Sequence, residues 1–277
     1  MSGVVPTVRA CESRRGGLST DARARFGFAG DGLSYKIAQR VLDVAGSLAV
    51  LICASPLLLV IATLIKLDSR GPVLFRHRRT GIDRRKASRG PGGGIDRRRQ
   101  DLFGKPFILY KFRTMYADAK DRFPALYAYD HSPEELASLP IKILVGAKEG
   151  APRRGEDPPT DQDWVNDPRV TPLGRWLRKT SLDELPNFIN VLKGDMHLVG
   201  PRADIPENIR YYPEHHRVIL TVKPGVTGLA QITGRGRLSL LQTNEYDLEY
   251  VRHRSLLLDL KIILKTIVVV FKREGAS

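Results

Sequence analysis

Cysteine is scarce in this chain. Its two cysteines lie in unlike surroundings, Cys11 in a polar lead and Cys53 in an apolar run. Such a pair excludes a structural disulfide and gives no cysteine-based metal signature, and the usage suits a reducing compartment. Acidic residues are few relative to basic ones, 30 Asp+Glu against 45 Lys+Arg, for a net charge of +15. That balance points to anionic partners, whether nucleic acid, anionic lipid or phosphate-bearing substrates. Nucleic acid is disfavoured by a second shortage. The most basic segment, 76–99, carries ten Lys/Arg against two Asp but no Phe, Tyr or Trp, whereas nucleic-acid grooves interleave cations with stacking aromatics. No zinc-finger or RNA-recognition signature occurs either. Residues 1–34 are Gly- and Arg-rich and lack an apolar core, so no cleaved signal peptide is expected there. They read as a disordered cytoplasmic lead.

What the chain does have is one long uncharged run. Between Asp43 and Lys66 lie 22 residues without charge, Val44 to Ile65, interrupted by Ser55-Pro56. About 20 apolar residues suffice to cross a bilayer as a helix. Pro56 removes a backbone donor and crowds the preceding turn, which predicts a bend or break. Both flanks are basic, Lys36 and Arg40 before the run and Lys66 and Arg70 after it, and cationic flanks tend to stay cytoplasmic. The favoured expectation is a re-entrant helix-break-helix over 35–67 that dips into one leaflet. A kinked single span and a buried core helix are the alternatives.

The rest, 68–277, reads as one catalytic-sized domain. Val73–Phe75 and Phe107–Phe112 look like hairpin partners, separated by a Gly-rich basic insertion at about 82–104 in which Gly-Ile-Asp-Arg-Arg occurs at 81–85 and again at 94–98. This insertion reads as a solvated segment or as a lipid-headgroup contact. Residues 116–139 lean helical, 147–166 read as a polar loop, and Leu173–Leu177 as a helical turn. Ser181 with Glu184 three residues on fits a capping box opening a helix that stops at Gly194. Residues 206–221 read as helix, 224–228 as a turn, 229–232 as strand and 238–253 as helix. Ser255–Phe271 is an amphipathic helix suited either to the bilayer surface or to a core. Fold class is therefore α/β, mostly helical with a small sheet.

Asp183-Glu184 is the pair with chemical promise. An isolated acid in a first helical turn is ordinarily a cap. Here the surroundings are unusually cationic: Lys111-Phe112-Arg113-Thr114-Met115, then Arg169, Arg175, Arg178 and Lys179, then Leu198-Val199-Gly200-Pro201-Arg202. Such cations bind phosphates and should hold a neighbouring carboxyl below its usual pKa, ionised and able to take a divalent cation. A carboxylate can also attack phosphorus to form an acyl phosphate. Adjacent residues on a helix point about 100° apart, so the two acids do not form an opposed acid/base pair.

In order, these motifs make the chain resemble the bacterial sugar transferases, the monotopic phosphoglycosyl transferases. The resemblance covers roughly 35–272. It rests on Ser55-Pro56, Ser69-Arg70-Gly71-Pro72-Val73, Lys111–Met115, Asp167–Arg175, Ser181–Asn187, Leu198–Arg202, Lys223–Gly228 and Tyr246–Val251. It implies a membrane-bound enzyme on the cytoplasmic face of the bacterial inner membrane, using Mg²⁺, with a UDP-sugar, undecaprenyl phosphate and inner-membrane lipids as partners. Asp183 is implied as nucleophile and metal ligand, and Glu184 as the second acid of a dyad. Pro201 and Arg202 match a nucleotide-diphosphate contact, and Lys111, Arg113 and Arg178 stand as candidate phosphate contacts. Ser55 and Pro56 mark the membrane break. A homodimer is left open. The chain departs from the pattern at His77, Asn187, His197 and Ala203. A membrane-associated polyanion- or polyprenol-phosphate-binding protein without catalysis is the alternative to an enzyme.

Overall fold

The computed structural model describes residues 32–83, 104–123, 167–209, 212–234 and 238–272. The lead, most of the basic insertion and the expectations over 124–166 lie outside the described residues.

The uncharged run forms the middle of a single helix, α1, Leu33–Asp68. It is the one helix among the described residues long and apolar enough to cross a membrane. The expected break at Pro56 is not there: α1 continues through it. The reason is local. Pro56 cannot donate to the carbonyl four residues back, and the Ser55 hydroxyl donates to that same carbonyl, Ile52 O, at 2.8 Å, which spares it from being left unpaired. The helix stops where Gly71 turns with φ +127° and Lys66 Nζ donates to Gly71 O at 3.0 Å.

Strands β1, Leu74–Thr80, and β2, Pro106–Phe112, pair antiparallel from Leu74 opposite Phe112 to Thr80 opposite Pro106. This is the expected hairpin, with a longer first strand. A short helix, α2, Ala119–Arg122, follows. Helix α3, Pro172–Thr180, starts with Pro172 in its first turn and Thr171 Oγ1 accepting from Gly174 N at 2.9 Å, a favourable N-terminal arrangement. The expected capping box at Ser181 is overturned. Ser181 has φ 57°, ends α3 in the left-handed region and caps nothing with its side chain. Leu182–Glu184 is a 3-10 turn, and the helix proper, α4, spans Asn187–Lys193 and ends at Gly194, φ 81°. A capping box does occur at Ser239 and Gln242, opening a later helix.

Strand β3, His197–Val199, runs parallel to β4, Gly225–Thr227. The expected turn at 224–228 is thus largely strand, and the expected strand after it is helix α6, Leu229–Gly234. Glycine permits the pairing, because a Cβ on Gly225 would lie 2.1 Å from Gly200 N. Between these strands the expected helix over 206–221 is divided into α5, Pro206–Ile209, and a 3-10 helix, Glu214–Thr221. Pro213, extended at ψ 147°, has no N–H to carry a helix across. Helices α7, Leu240–His253, and α8, Leu256–Lys272, close the described chain.

Among the described residues two apolar clusters hold these elements, and α1 enters both. Leu42 packs on the larger, built from β2, α4, β3, α7 and α8 around Val191, Met196, Leu198, Tyr250 and Ile262. Leu58, Ile61 and Ile65 build the smaller with Phe112, Leu177, Leu182 and Leu185. Polar contacts reinforce the first. Buried Asp43 accepts Leu198 N at 2.8 Å and meets His197 Nδ1 at 2.6 Å. Arg40 donates to Val191 O and Leu192 O at 2.7 and 2.9 Å, satisfying carbonyls at the end of α4.

Candidate active site

Asp183 and Glu184 sit on the 3-10 turn, flanked by Leu182 and Leu185. Those two leucines pack into the smaller cluster with Leu58, Ile61 and Ile65. The acidic pair is therefore pinned by its apolar neighbours against the second half of α1. From β2, Lys111 reaches both acids: its Nζ lies 2.5 Å from Glu184 Oε1 and 3.9 Å from Asp183 Oδ2.

The strand register explains which other side chains face this spot. Phe75 pairs with Lys111, and alternate residues of a strand share a face, so Phe75, His77 and Arg79 lie on the same face of the hairpin as Lys111. Burial, Arg79 and Lys111 push the His77 imidazole down to about 4, so it is neutral at physiological pH. Burial lowers Arg79 to about 10, still a cation, with Asp204 at 3.8 Å and Ala203 O accepting from it at 3.3 Å.

The two acids are electrically unlike. Asp183, with its side chain 13% exposed, is pushed up to about 6 by burial and by Glu184, against the pull of Lys111 and Arg178. This reverses the expectation that its cations would hold it down: desolvation outweighs them. Glu184 goes the other way. Burial raises it, but Lys111, Arg202 and Arg79 outweigh that and keep it below the ordinary glutamate value.

Of the other residues singled out, Arg178 on α3 faces the pair electrostatically, and its Nε donates to Thr114 Oγ1 at 2.9 Å. Pro201 and Arg202 follow β3. Pro201 O accepts Gly225 N at 2.8 Å, and Arg202 N donates to Asp247 Oδ2 at 3.0 Å, which leaves the guanidinium to act on Glu184. Arg113 is not brought to the acids. Its guanidinium donates to Arg70 O, Ser69 O and Ile65 O at 2.8, 2.7 and 3.4 Å, clamping the end of α1. Ser55 and Pro56 lie mid-helix, away from the chemistry. In the Asp167–Arg175 run, Asp167 accepts from buried Arg169 at 2.8 Å, an ion pair that braces the approach to α3.

Sequence reasoning missed Arg79, Asp247 and Asn190. Arg79 could have been found from the period of β1 once its register with Lys111 was known. Asp247 is fully enclosed, and burial pushes it up to about 7. Asn190 stitches α4 to β2, donating to Ile108 O at 2.6 Å and accepting Tyr110 N at 3.0 Å. Asp247 lies within the Tyr246–Val251 motif, which does not reveal its burial, and no pattern signals Asn190. Oxygen donors from Asp183 and Glu184 suit a hard divalent cation, and the upward shift of Asp183 beside a second carboxylate is what such a cation would relieve.

A carboxylate pair ringed by cations and mounted against a long apolar helix defines a site built to handle anionic groups such as phosphates. The chain belongs to the bacterial sugar transferase family, whose profile matches residues 34–273. It is similar to an undecaprenyl-phosphate galactose phosphotransferase of Salmonella typhimurium, 34% identical over 88% of this chain and 42% of that protein. A UDP-glucose:undecaprenyl-phosphate glucose-1-phosphate transferase of Klebsiella pneumoniae is 37% identical over 86% and 41%. The exopolysaccharide production protein ExoY of Sinorhizobium fredii is 32% identical over 87% and 88%. The chain thus spans less than half the length of the first two and most of the third.

Proposed function

We propose that this protein transfers a phospho-sugar from a UDP-sugar to undecaprenyl phosphate at the cytoplasmic face of the bacterial inner membrane, an initiating step of polysaccharide or glycoconjugate assembly. The single observation that carries this is the seating of Asp183-Glu184: Asp183 largely enclosed and Glu184 half-exposed, both sharing Lys111, and the pair fixed to the apolar helix through Leu182 and Leu185. That seating supports a carboxylate reached by both a soluble nucleotide and a lipid phosphate. The names of the relatives, which specify galactose in one and glucose in another, support the reaction class and leave the sugar unassigned.

Asp183 is the nucleophile. A carboxylate raised to about 6 is ionised at neutral pH yet more basic than an ordinary aspartate. Its oxygen attacks the sugar-proximal phosphorus. A bond forms between Oδ and phosphorus, the bond to the bridging oxygen breaks, and UMP leaves with that oxygen. The undecaprenyl phosphate oxygen then attacks the same phosphorus, the aspartyl bond breaks, and undecaprenyl diphosphate sugar is released with Asp183 restored. Lys111, Arg178 and Arg202 neutralise the phosphates as charge moves. Glu184, held ionised, keeps Lys111 in place. Asp183 would hold Mg²⁺, which would supply charge neutralisation for the diphosphate.

The burial pattern of α1 supports a membrane arrangement with both of its ends on one side. Gln39, Asp43 and Ser47 near one end and Ile61 and Ile65 near the other face the domain, and none of residues 48–57 is buried. Ten residues make about 15 Å of helix, against roughly 30 Å of hydrocarbon. A full span would draw domain-facing residues into lipid, which supports both ends of α1 lying on the same side of the membrane. The exposed face of α8 carries Leu257, Leu260, Leu264, Ile267 and Val268 with Lys261 and Lys265, a surface suited to lying at the interface.

Incubation with a panel of UDP-sugars and Mg²⁺, read by intact mass and UMP release, tests the reaction. A phospho-sugar adduct that Asp183→Asn abolishes is expected. Turnover unchanged in Asp183→Asn would remove the covalent step.

A further inference from the structure

Away from the acidic pair, His215, His216 and Glu245 form a separate cluster between the 3-10 helix and α7. His216 is fixed, 2% exposed, whereas the side chains of His215 and Glu245 are 51% and 61% exposed. Nε2 of His216 lies 2.7 Å from Glu245 Oε1, and Nε2 of His215 lies 3.9 Å from the same oxygen. One ligand atom from each residue falls within 4.8 Å of the other two. The imidazole rings meet with centroids 4.1 Å apart. His216 Nδ1 is buried without a hydrogen-bond partner, so the ring meets polar groups through Nε2 alone.

We infer that His215, His216 and Glu245 form a binding site for a borderline transition-metal ion of the Zn²⁺ class. Tetrahedral zinc with bonds of about 2.0–2.1 Å has donor atoms about 3.4 Å apart, and the 2.7 and 3.9 Å separations fall on either side of that value. The two exposed side chains can close the difference by small torsional changes while His216 stays as anchor. Two imidazoles and one carboxylate suit Zn²⁺, Ni²⁺ or Cu²⁺ and poorly suit Mg²⁺, which prefers oxygen ligands. The site is therefore chemically distinct from the pair at Asp183-Glu184. Three protein ligands at a half-open surface leave the fourth position to water.

The consequence of occupancy is mechanical. The metal ties the 3-10 helix to α7 at Glu245, two residues before Asp247, whose carboxylate accepts Arg202 N. Binding to the folded state alone raises stability, so the ion acts as a staple beneath the Arg202 loop.

The test uses tag-free full-length protein in nanodiscs, titrated with Zn²⁺ alone by calorimetry and followed by thermal unfolding. One Zn²⁺ per chain, micromolar or tighter, with a higher Tm is expected. His215→Ala and Glu245→Gln, both at exposed side chains, should each weaken binding on the order of tenfold or more, and Asp183→Asn should leave it unchanged. Absence of micromolar binding, or binding that survives the double variant His215→Ala/Glu245→Gln, overturns the site.

Discussion

Lys111 Nζ stands 2.5 Å from Glu184 Oε1, so the lysine of β2 is committed first to the more exposed acid and reaches Asp183 only at 3.9 Å. This asymmetry separates the acids: one stays ionised, and the other is left to the effect of burial. Asp183 loses its charge as pH falls through about 6, so the rate should decline on that acidic limb. Lys111 is among the influences lowering Asp183. Lys111→Met should therefore move the limb to higher pH, with a loss on the order of tenfold or more at pH 7. A pH profile of UMP release for both proteins checks this. An unmoved limb would show that the lysine does not tune the nucleophile.

Asp247 makes a prediction with the opposite readout, stability. Its folded value of about 7 lies above the ordinary 3.8 because of burial. The native state keeps a proton that the unfolded chain has released, so this group's contribution to stability falls as pH rises from about 4 to 7. Asp247→Asn cannot ionise and can still accept Arg202 N. Its Tm should exceed that of the parent at pH 8 and converge with it near pH 4.

Asp43 anchors the front of α1. Asp43→Ala strips the acceptor from Leu198 N and from His197 Nδ1 in a buried setting, a loss of about 3 kcal/mol. Denaturant unfolding in detergent measures it. Protease cutting near the start of α1 should rise in parallel.

Ser55 and Pro56 bear on topology. Pro56→Leu restores the missing donor and favours a straight span, and Ser55→Ala leaves Ile52 O without its hydroxyl partner. Cysteine labelling on each side of α1 in sealed vesicles should show both ends on one face in the parent, with a fraction of opposite-face labelling appearing in Pro56→Leu. Opposite-face labelling in the parent would remove the leaflet-dipping arrangement.

Much of the candidate site was legible because its residues are close in sequence or recur as motifs. Asp183-Glu184, Lys111 and Pro201-Arg202 needed no tertiary knowledge to single out. What could not be read depends on partners far along the chain. Arg113 resembles a phosphate ligand in a basic motif, but the part-buried carbonyls of Ser69 and Arg70, just past the end of α1, claim its guanidinium. Ser181 satisfies the spacing of a capping box, yet α3 arrives from the other side and uses it as a left-handed stop. The strand at Gly225–Thr227 was hidden because glycine and proline read locally as turn, while the contact that makes them strand is Gly200 across the parallel pair. Pro56 reads locally as a breaker, yet α1 continues through it, because the Ser55 hydroxyl donates to Ile52 O in place of the missing backbone donor.

One helix serves both apolar clusters, and the turn bearing the acids is wedged into one of them. The position of Asp183 relative to the apolar helix is thus set when the chain folds, and under the proposed reaction no swinging arm or flexible tether has to search for it. On the proposed function, a carrier lipid would drift sideways to a stationary dock, and a loosened helix would misplace the chemistry even with every reacting side chain intact.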